Sequence, residues 1–304
     1  MGSLHRQEDV TGPVAGHPGG AHARKSSGGP WRVVFIVSMV VLVCALAALG
    51  AIFFSYWQGQ QTNKEIADLG FTEPEPAALA SDGLASFKVD WDALLAVNPD
   101  TVGWIYVPGT NINYPIVHTT DDEYYLKHDF KGSVGWIATF GAIFLSADNK
   151  SDFSDANSII YGHHLNDGSM FSAFADFGDA DTFNASRTIY ILTPSKNYRL
   201  TTFSIVHCSA DDPIAQIAFT DEAERVSYIQ DKIDRSVVSA AGIPAAKDIP
   251  RTFTFSTCDN LASDGRWVLF AYVSEASTSD DITQSIANPE DAAAVDEAAK
   301  ESVS

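Results

Sequence analysis

Short runs in which apolar and polar residues alternate recur from residue 103 onwards, and turn-forming residues bound them. Eight such runs predict β-strands, at Gly103–Val107, Asn111–Val117, Ala142–Leu145, Ser158–Tyr161, Thr188–Thr193, Tyr198–His207, Thr252–Thr257 and Trp267–Val273. Their β-branched and aromatic side chains, separated by Gly, Pro, Asn or Asp, are typical of a mainly β domain. Because a closed or nearly closed sheet leaves few strand edges unpaired, we expect these strands to form a barrel.

Few segments carry a helical repeat. Val89–Ala96 predicts a short helix, and Ser169–Phe177 places its apolar residues at helical spacing. The longest pattern runs from Asp221 to Val238, with Thr220 as a candidate N-cap and acidic residues in the first turn. The apolar face of this helix is predicted to comprise Val226, Ile229, Ile233 and Val237.

An apolar run without charged residues extends from Val33 to Phe54. At a rise of about 1.5 Å per residue, a helix over this run is long enough to cross a hydrocarbon core of roughly 30 Å. Basic residues precede the run and mainly acidic residues follow it, which places the N-terminus in the cytoplasm and the bulk of the chain outside. We expect residues 33–56 to form a single-pass transmembrane signal anchor. A cleaved signal peptide is the alternative, but the run is longer than a usual signal core.

Composition divides the rest of the chain. Residues 1–32 are rich in Gly, His, Pro and Ser without apolar periodicity, so we expect a disordered cytoplasmic tail. Residues 57–88 are expected to be a juxtamembrane linker, and residues 89–276 to hold one folded domain. Residues 277–304 are acidic and rich in Ala and Ser, which predicts a second disordered tail.

Charge and motif content narrow the classes of function. The net charge of -20 argues against a nucleic-acid partner, because phosphate binding needs clustered Lys and Arg. The sequence has no CxxC or HExxH pattern and no phosphate-binding glycine-rich loop after a strand. The acidic clusters Asp121–Glu123 and Asp211–Asp212 lack the ligand spacing of a calcium loop, and we interpret them as turn or helix-start residues. We therefore expect neither a metal nor a cofactor.

Candidate chemistry lies at the ends of two predicted strands. The run Thr252–Thr257 leads directly to Cys258, and Arg266 follows eight residues later at the start of the next run. A thiol there is a candidate nucleophile, and the guanidinium is a candidate donor to an oxyanion. The run ending at Tyr161 leads to His163 and His164, either of which offers general acid/base catalysis. Only one of two successive strand residues can face the thiol, and alternation alone does not choose between them.

Each of these residues also has a structural interpretation. Cys258 could be an inert core thiol, and Arg266 could form a surface ion pair with Asp259 or Asp264. Cys44 lies in the apolar run, which leaves Cys208 and Cys258 outside, where they could form one disulfide. A catalytic thiol must stay free, however, and Cys208 ends an alternating run. We interpret Cys208 as a half-buried strand residue.

These motifs resemble those of the sortases, and within that family those of class B. The segment Thr254–Cys258 with Arg266 is similar to the family signature TLxTC…R, and Tyr161–His163 followed by Asp167–Phe171 is similar to its histidine segment. The resemblance runs from about Val89 to Ser274 and includes, upstream, Trp91–Leu95, Asn98–Asp100, Gly103–Ile105 and Asn113–Val117. Two departures are His164-Leu165, where class B members often carry Asn-Met, and the longer stretch Val134–Phe140.

The resemblance implies a closed eight-stranded sortase-type β-barrel with a few peripheral helices, preceded by one transmembrane helix, with residues 89–276 as the catalytic domain. It also implies a cysteine transpeptidase. Such an enzyme cleaves a C-terminal sorting motif of a secreted protein after Thr through a thioester, and an amine of a cell-wall precursor or a pilin lysine then takes the acyl end. The helix-bearing connection before the cysteine strand helps to form the substrate groove in that family.

The resemblance also implies a role for each candidate residue. Cys258 is the nucleophile, His163 rather than His164 is the acid/base, and Arg266 holds the substrate backbone and the oxyanion. Ser256 and Thr257 are candidate substrate-binding residues, although Thr257 could instead pack within its strand.

Two other functions remain open on the residues alone. One is a cysteine hydrolase or an L,D-transpeptidase acting on wall peptides, although the latter usually shows Ser-x-Gly-Cys with Arg close behind, unlike Ser256-Thr257-Cys258. The other is a non-enzymatic, membrane-tethered binding module in which Cys258 is structural.

Overall fold

The computed structural model describes residues 29–134, 140–209, 211–212, 216–258 and 265–278. By its internal contacts the chain separates into two units, Met1–Leu49 and Gly50–Ser304. Most of the two tails predicted from composition, and most of the long stretch Val134–Phe140, lie outside the described residues.

The first elements precede the barrel. Helix α1 (Pro30–Gly70) contains the whole apolar run, and helices α2 (Pro76–Asp82) and α3 (Trp91–Val97) follow it. Strands β1 (Phe71–Thr72) and β2 (Lys88–Val89) pair with each other in antiparallel orientation. Residues 57–88, which we expected to link anchor and domain, therefore carry regular structure. The predicted helix at Val89–Ala96 is α3, and Asp90 caps it by accepting a hydrogen bond from the Ala93 N–H.

The remaining elements alternate between barrel strands and short helices. The strands are β3 (Thr101–Tyr106), β4 (Asn113–Val117), β5 (Ile143–Leu145), β6 (Asn157–Tyr161), β7 (Thr188–Leu192), β8 (Lys196–Ser209), β9 (Thr252–Cys258) and β10 (Gly265–Thr278). The helices are α4 (Tyr124–Lys127), α5 (Ser172–Asp176), α6 (Ala180–Ala185) and α7 (Glu222–Asp234).

Within the described residues, these strands close into a barrel in the order β10-β8-β7-β3-β4-β5-β6-β9. The β4–β5 and β6–β9 pairs are parallel, and the other neighbouring pairs are antiparallel. The prediction of a mainly β, closed eight-stranded barrel is therefore confirmed.

The period-2 pattern of β9 and β10 separates the two faces of the barrel wall. Phe253, Phe255 and Leu269 belong to the main buried cluster together with side chains from the strands around the barrel. Val268 and Phe270 alternate with them and pack instead against α7. Because alternate strand residues point to opposite faces, the first set fills the barrel and the second set lies on its outer wall.

Helix α7 covers this outer wall, with two differences from the sequence prediction. Asp221 is the N-cap, because its Oδ1 accepts the Glu224 N–H at 2.9 Å, whereas Thr220 donates to Glu224. The helix also ends at Asp234, so Val237 lies beyond it and is exposed. Val226, Ile229 and Ile233 do pack in the α7 cluster, as the repeat predicted.

Candidate active site

Three neighbouring strands bring the predicted catalytic positions to one edge of the barrel. Strand β9 runs parallel to β6 and antiparallel to β10. The carboxyl ends of β6 and β9 therefore meet the amino end of β10. Cys258 is the last residue of β9, and its backbone pairs directly with that of Arg266, near the start of β10.

His163 follows the carboxyl end of β6. The last registered pair of β6 and β9 is Tyr161 with Ser256, and the Gly162 N–H donates to the Ser256 carbonyl at 3.2 Å. His163 stands two residues beyond Tyr161, just as Cys258 stands two residues beyond Ser256. The parallel register therefore places His163 and Cys258 at corresponding positions of adjacent chain segments.

The imidazole of His163 is held by a backbone carbonyl. Its Nε2 lies 2.7 Å from the carbonyl oxygen of Leu126. Because a carbonyl oxygen only accepts hydrogen bonds, Nε2 carries a proton in this arrangement. In the neutral ring Nδ1 is then the unprotonated nitrogen, which makes it the atom able to accept a proton.

Gly141 packs against the same ring. A Cβ on Gly141 would lie 2.7 Å from His163 Cδ2 and 2.9 Å from Nε2. The backbone of Gly141 also has φ of +59°, which side chains other than glycine rarely adopt. Both conditions favour glycine at this position, and the short distances show how closely its backbone approaches the imidazole.

His164 is half-buried like His163 but has a different backbone partner. It forms an isolated antiparallel bridge with Met170, whereas the carbonyl of His163 accepts the Phe171 N–H at 2.9 Å. The choice of His163 over His164 remains a prediction.

Arg266 is half-buried and shares its surroundings with Tyr161. Burial is the main cause that raises the pKa of the Tyr161 phenol; the nearby Asp122 carboxylate raises it further, and the Arg266 cation opposes them. Asp122 is itself fixed, because it accepts hydrogen bonds from Ser146 Oγ at 3.0 Å and from the Ala147 N–H at 2.6 Å. The alternative partners of Arg266, Asp259 and Asp264, lie outside the described residues.

The two predicted substrate-binding residues lie on opposite faces of β9. Ser256 pairs with Tyr161 and Val268 on the outer row and is 6% exposed. Thr257 is 2% exposed and pairs with Trp267, which packs against the barrel interior. The Thr257 hydroxyl has no hydrogen-bond partner among the described residues. This position favours the packing interpretation of Thr257, and the substrate contact of Ser256 remains a prediction.

The strand register also answers the question of a disulfide. Arg266 pairs with Cys258 on one side and with Cys208 on the other. Two strand spacings separate the cysteines, so their Cα atoms lie about 10 Å apart, beyond the roughly 7 Å limit for a disulfide. Cys208 is half-buried, as predicted, and this burial raises the pKa of its thiol.

Residues of the two acidic clusters accept backbone hydrogen bonds or form an ion pair. Asp121 accepts the N–H groups of Glu123 and Tyr124 at 2.9 and 2.7 Å, which makes it a helix-start residue as predicted. Asp212 forms an ion pair with Arg235 at 2.5 Å. In the described part of the chain, no group of three or more His, Cys, Asp or Glu residues is arranged to hold a metal ion.

The contributions of Leu126 and Gly141 were missed in the sequence. A backbone carbonyl carries no residue signature, so nothing in the sequence marks Leu126 as the partner of His163. No role was predicted for Gly141, because its closeness to His163 depends on how distant segments pack.

Comparison with known proteins agrees with this geometry. A family model described as Sortase domain matches residues 105–274. The chain is 30% identical over 221 residues to Sortase B of Listeria monocytogenes, covering 70% of this chain and 87% of that protein. It is 25% identical over 233 residues to Sortase B of Staphylococcus aureus, covering 77% and 92% respectively.

Solved structures of sortase B share the fold. The crystal structure of sortase B from B. anthracis in complex with AAEK1 has a TM-score of 0.61 and 27% identity, covering 73% of this chain and 98% of that one. Sortase B from Clostridium perfringens has a TM-score of 0.56 and 27% identity, covering 60% and 99%. The family model covers more than half of the chain, and the barrel is the one that these structures share. This protein therefore belongs to the sortase family, and within it to the class B sortases, which are cysteine transpeptidases.

Proposed function

We propose that this sortase cleaves a C-terminal sorting motif of a secreted protein and transfers the new acyl end to an amine of a cell-wall precursor or a pilin. The observation that carries the proposal is the strand register, which pairs Cys258 with Arg266 and ends β6 at Tyr161, two residues before His163. A nucleophile, an acid/base and a fixed cation are then assigned to three adjacent chain segments.

In the first half-reaction, Cys258 has passed its thiol proton to His163, and the resulting thiolate sulfur bonds to the carbonyl carbon of the scissile peptide. The carbon–nitrogen bond breaks, and His163 donates its proton to the departing amine. In the second half-reaction, the acceptor amine bonds to the thioester carbon and gives a proton to His163, while the sulfur leaves as a thiolate. Each half-reaction forms one bond and breaks another. The thioester intermediate divides one difficult displacement into two easier ones.

The contact with Leu126 supports the role of His163. The Leu126 carbonyl can accept the Nε2–H in both the neutral and the protonated ring, so Nδ1 is left to gain and lose the transferred proton. The same carbonyl dipole stabilises the positive charge that the ring carries before it protonates the departing amine, and again after it accepts a proton from the acceptor amine.

The strand pairing supports the role of Arg266. Directly opposed residues of an antiparallel pair share one face of the sheet, which puts the Arg266 position beside that of the nucleophile. Its guanidinium is a cation that offers its donors in a planar fork. A charged donor preset where the carbonyl oxygen becomes negative lowers the energy of the transition state.

We also propose that residues 33–56 anchor the chain in a membrane once, with the catalytic domain outside the cell. Among the described residues, one helix, α1, is long and apolar enough to cross a membrane by length and composition. Its large apolar side chains, including Val33, Phe35 and Phe53, are exposed in the structure. The basic residues before the run support the proposed orientation.

The function is tested with the full chain in lipid nanodiscs. A panel of sorting-motif peptides is incubated with cross-bridge-type peptides or a lysine-bearing peptide, and the products are identified by mass spectrometry. We expect cleavage after Thr, a thioester adduct on Cys258, and a new amide to one class of amine. The matched control is Cys258→Ala, which should form no adduct.

Two outcomes would contradict the proposal. Release of the free acid at a rate that no amine changes would favour a hydrolase. Peptide binding that survives alkylation of Cys258, without any product, would favour a binding module.

A further inference from the structure

The later part of α1 lies against the segment that holds His163. We define the docking segment as Tyr56–Gln60. At its centre, a Cβ on Gly59 would lie 2.5 Å from Phe140 Cζ and 2.6–2.7 Å from the two Cε atoms. The ring of Tyr56 meets the ring of Phe140 edge-on at 5.7 Å between centroids. The tip of the Phe140 ring therefore rests on the backbone of the docking segment.

Phe140 transmits this contact to His163 through one peptide bond. The next residue, Gly141, is the one whose backbone packs on the imidazole. Phe140 is only 7% exposed and lies in the main buried cluster, so its ring has little room to swing aside. A displacement at the tip of the ring must therefore pass in part to the backbone of residues 140 and 141.

A second contact reaches the loop that follows His163. Gln60 Nε2 donates to Asp167 Oδ2 at 3.0 Å, while Asp167 Oδ1 accepts the Ser169 N–H at 3.0 Å and its hydroxyl at 2.6 Å. This loop leads to Phe171, whose N–H donates to the His163 carbonyl. The docking segment thus touches one segment that packs on the ring and one that binds the backbone of the same histidine.

We propose that the docking segment of α1 is a positioning element for His163, holding the imidazole in the orientation that leaves Nδ1 open for proton transfer. It acts through Phe140 and Gly141 on the ring and through Asp167 on the loop. The catalytic consequence rests on the proposed acid/base role of His163.

The presence of Gly59 inside a helix supports this interpretation. A glycine inside a helix costs about 1 kcal/mol relative to alanine. At Gly59 the close approach of Phe140 requires the absence of a side chain. Gly50 lies in the same helix, and a Cβ there would meet no described atom within 4 Å. The two glycines therefore form a matched pair that separates helix propensity from the contact with Phe140.

The test compares Gly59→Ala with Gly50→Ala in the full chain in nanodiscs. Both changes raise helix propensity equally, so only the contact with Phe140 distinguishes them. We expect Gly59→Ala to lower kcat about tenfold with little change in KM, because small misplacements of a catalytic group slow chemistry more than binding. Gly50→Ala should keep the parent kcat. Equal kcat values for the two variants would overturn the proposal.

A measurement that does not depend on turnover tests the positioning of His163 separately from the proposed function. The ¹⁵N chemical shifts of the His163 ring nitrogens report which nitrogen carries the proton. We expect the Nε2–H pattern in the parent chain and in Gly50→Ala, and a mixed pattern in Gly59→Ala. If the parent chain turns over no peptide but these shifts still change, the positioning holds and the proposed function fails. Unchanged shifts in Gly59→Ala would refute the positioning whatever the activity.

Further variants keep the proposal testable if Gly59→Ala disturbs folding. Adding Phe140→Leu to Gly59→Ala shortens the opposing side chain and should recover at least half of the lost kcat.

If Gly59→Ala does not fold, the hydrogen bond from Gln60 to Asp167 provides a second test of the proposal. Gln60→Ala should lower kcat about two- to fivefold, as expected for loss of one hydrogen bond. Its neighbour Gln61 is exposed, and Gln61→Ala should leave kcat unchanged. A Gln60→Ala chain as active as Gln61→Ala would count against the proposal.

Discussion

Arg266 lies directly opposite Cys258 across the β9–β10 pair, and the same arginine lies opposite Cys208 across the β8–β10 pair. Arg266 on β10 therefore lies between Cys258 on β9 and Cys208 on β8, and the three positions form one row across the sheet. The parallel partner of β9 contributes His163 at the same barrel edge. Backbone pairing therefore fixes the order in which the three catalytic candidates lie along this edge.

Arg266 is predicted to act on the transition state more than on stability. Arg266→Ala should remove about 3 kcal/mol of transition-state stabilisation, a fall in turnover of roughly a hundredfold or more. Arg266→Lys keeps the charge but loses the planar fork, so it should restore only a small part of the activity. Turnover and thermal unfolding are measured together for both variants.

The matched control is Arg199→Ala, which removes an exposed ion pair with Glu275. Such a pair is worth at most about 1 kcal/mol, so this variant should retain turnover. If Arg266→Ala behaves like Arg199→Ala, with near-normal turnover, Arg266 is structural.

The adjacent histidines are predicted to differ in their effect on activity. His163→Ala removes the ring that Leu126 and Gly141 hold, and we expect turnover to fall by at least about a hundredfold, the usual contribution of a general acid/base. His164→Ala should cost far less, because His164 takes its backbone partner from Met170 and has no role in the proposed proton transfer. Steady-state kinetics on both variants decide the choice, and equal losses or the reverse order would contradict it.

Much of the barrel could be predicted from the sequence because its signal is local. All eight predicted strands occur within a few residues of their expected bounds, since period-2 alternation and turn residues mark them. The pairing of β6 with β9 is not local, because about a hundred residues separate the two strands in the chain. Helix α4 has only four residues, too few for a helical repeat, and its form depends on tertiary packing.

In the site, too, some parts could be predicted from the sequence and others could not. Cys258, His163 and Arg266 were predicted from motifs, because the proposed chemistry requires those side chains, and their roles stay predictions. The residues that hold His163 contribute backbone atoms, and backbone atoms are common to every residue type. The N-cap of α7 was wrongly given to Thr220 because Thr220 and Asp221 are both good caps, and only the backbone geometry distinguishes them.

Cys208 and Cys258 are predicted to stay unlinked and to react at different rates. Burial raises the pKa of Cys208, so less of it is thiolate at neutral pH. Iodoacetamide at neutral pH should therefore modify Cys208 slowly, and its rate should rise as pH increases beyond the ordinary thiol range. Peptide mapping measures the labelling, with Cys258→Ala to isolate Cys208. A disulfide between them in the oxidised, folded chain would mean that the strand register is wrong.

Asn157 is predicted to be the most important buried polar residue outside the site. It is fully buried at the start of β6, where its Oδ1 accepts the hydroxyls of Thr252 and Thr254 at 3.0 and 2.9 Å. Its Nδ2 donates to the Gln216 carbonyl at 2.9 Å, which ties the α7 connection to the barrel. Asn157→Ala leaves these buried groups without their partner, and each such loss costs about 1–3 kcal/mol.

We expect Asn157→Ala to lower the free energy of unfolding by about 3 kcal/mol, which corresponds to a fall in Tm of roughly 6–12 °C for a domain of this size. The matched control is Asn184→Ala, since Asn184 bonds the Ala180 carbonyl from an exposed position. That variant should change Tm by no more than about 2 °C, because surface substitutions usually stay within 0.5 kcal/mol. Thermal unfolding of both variants followed by circular dichroism makes the comparison. Similar Tm values would show that water or neighbouring groups replace the Asn157 amide, and that the network does not hold β6 to β9.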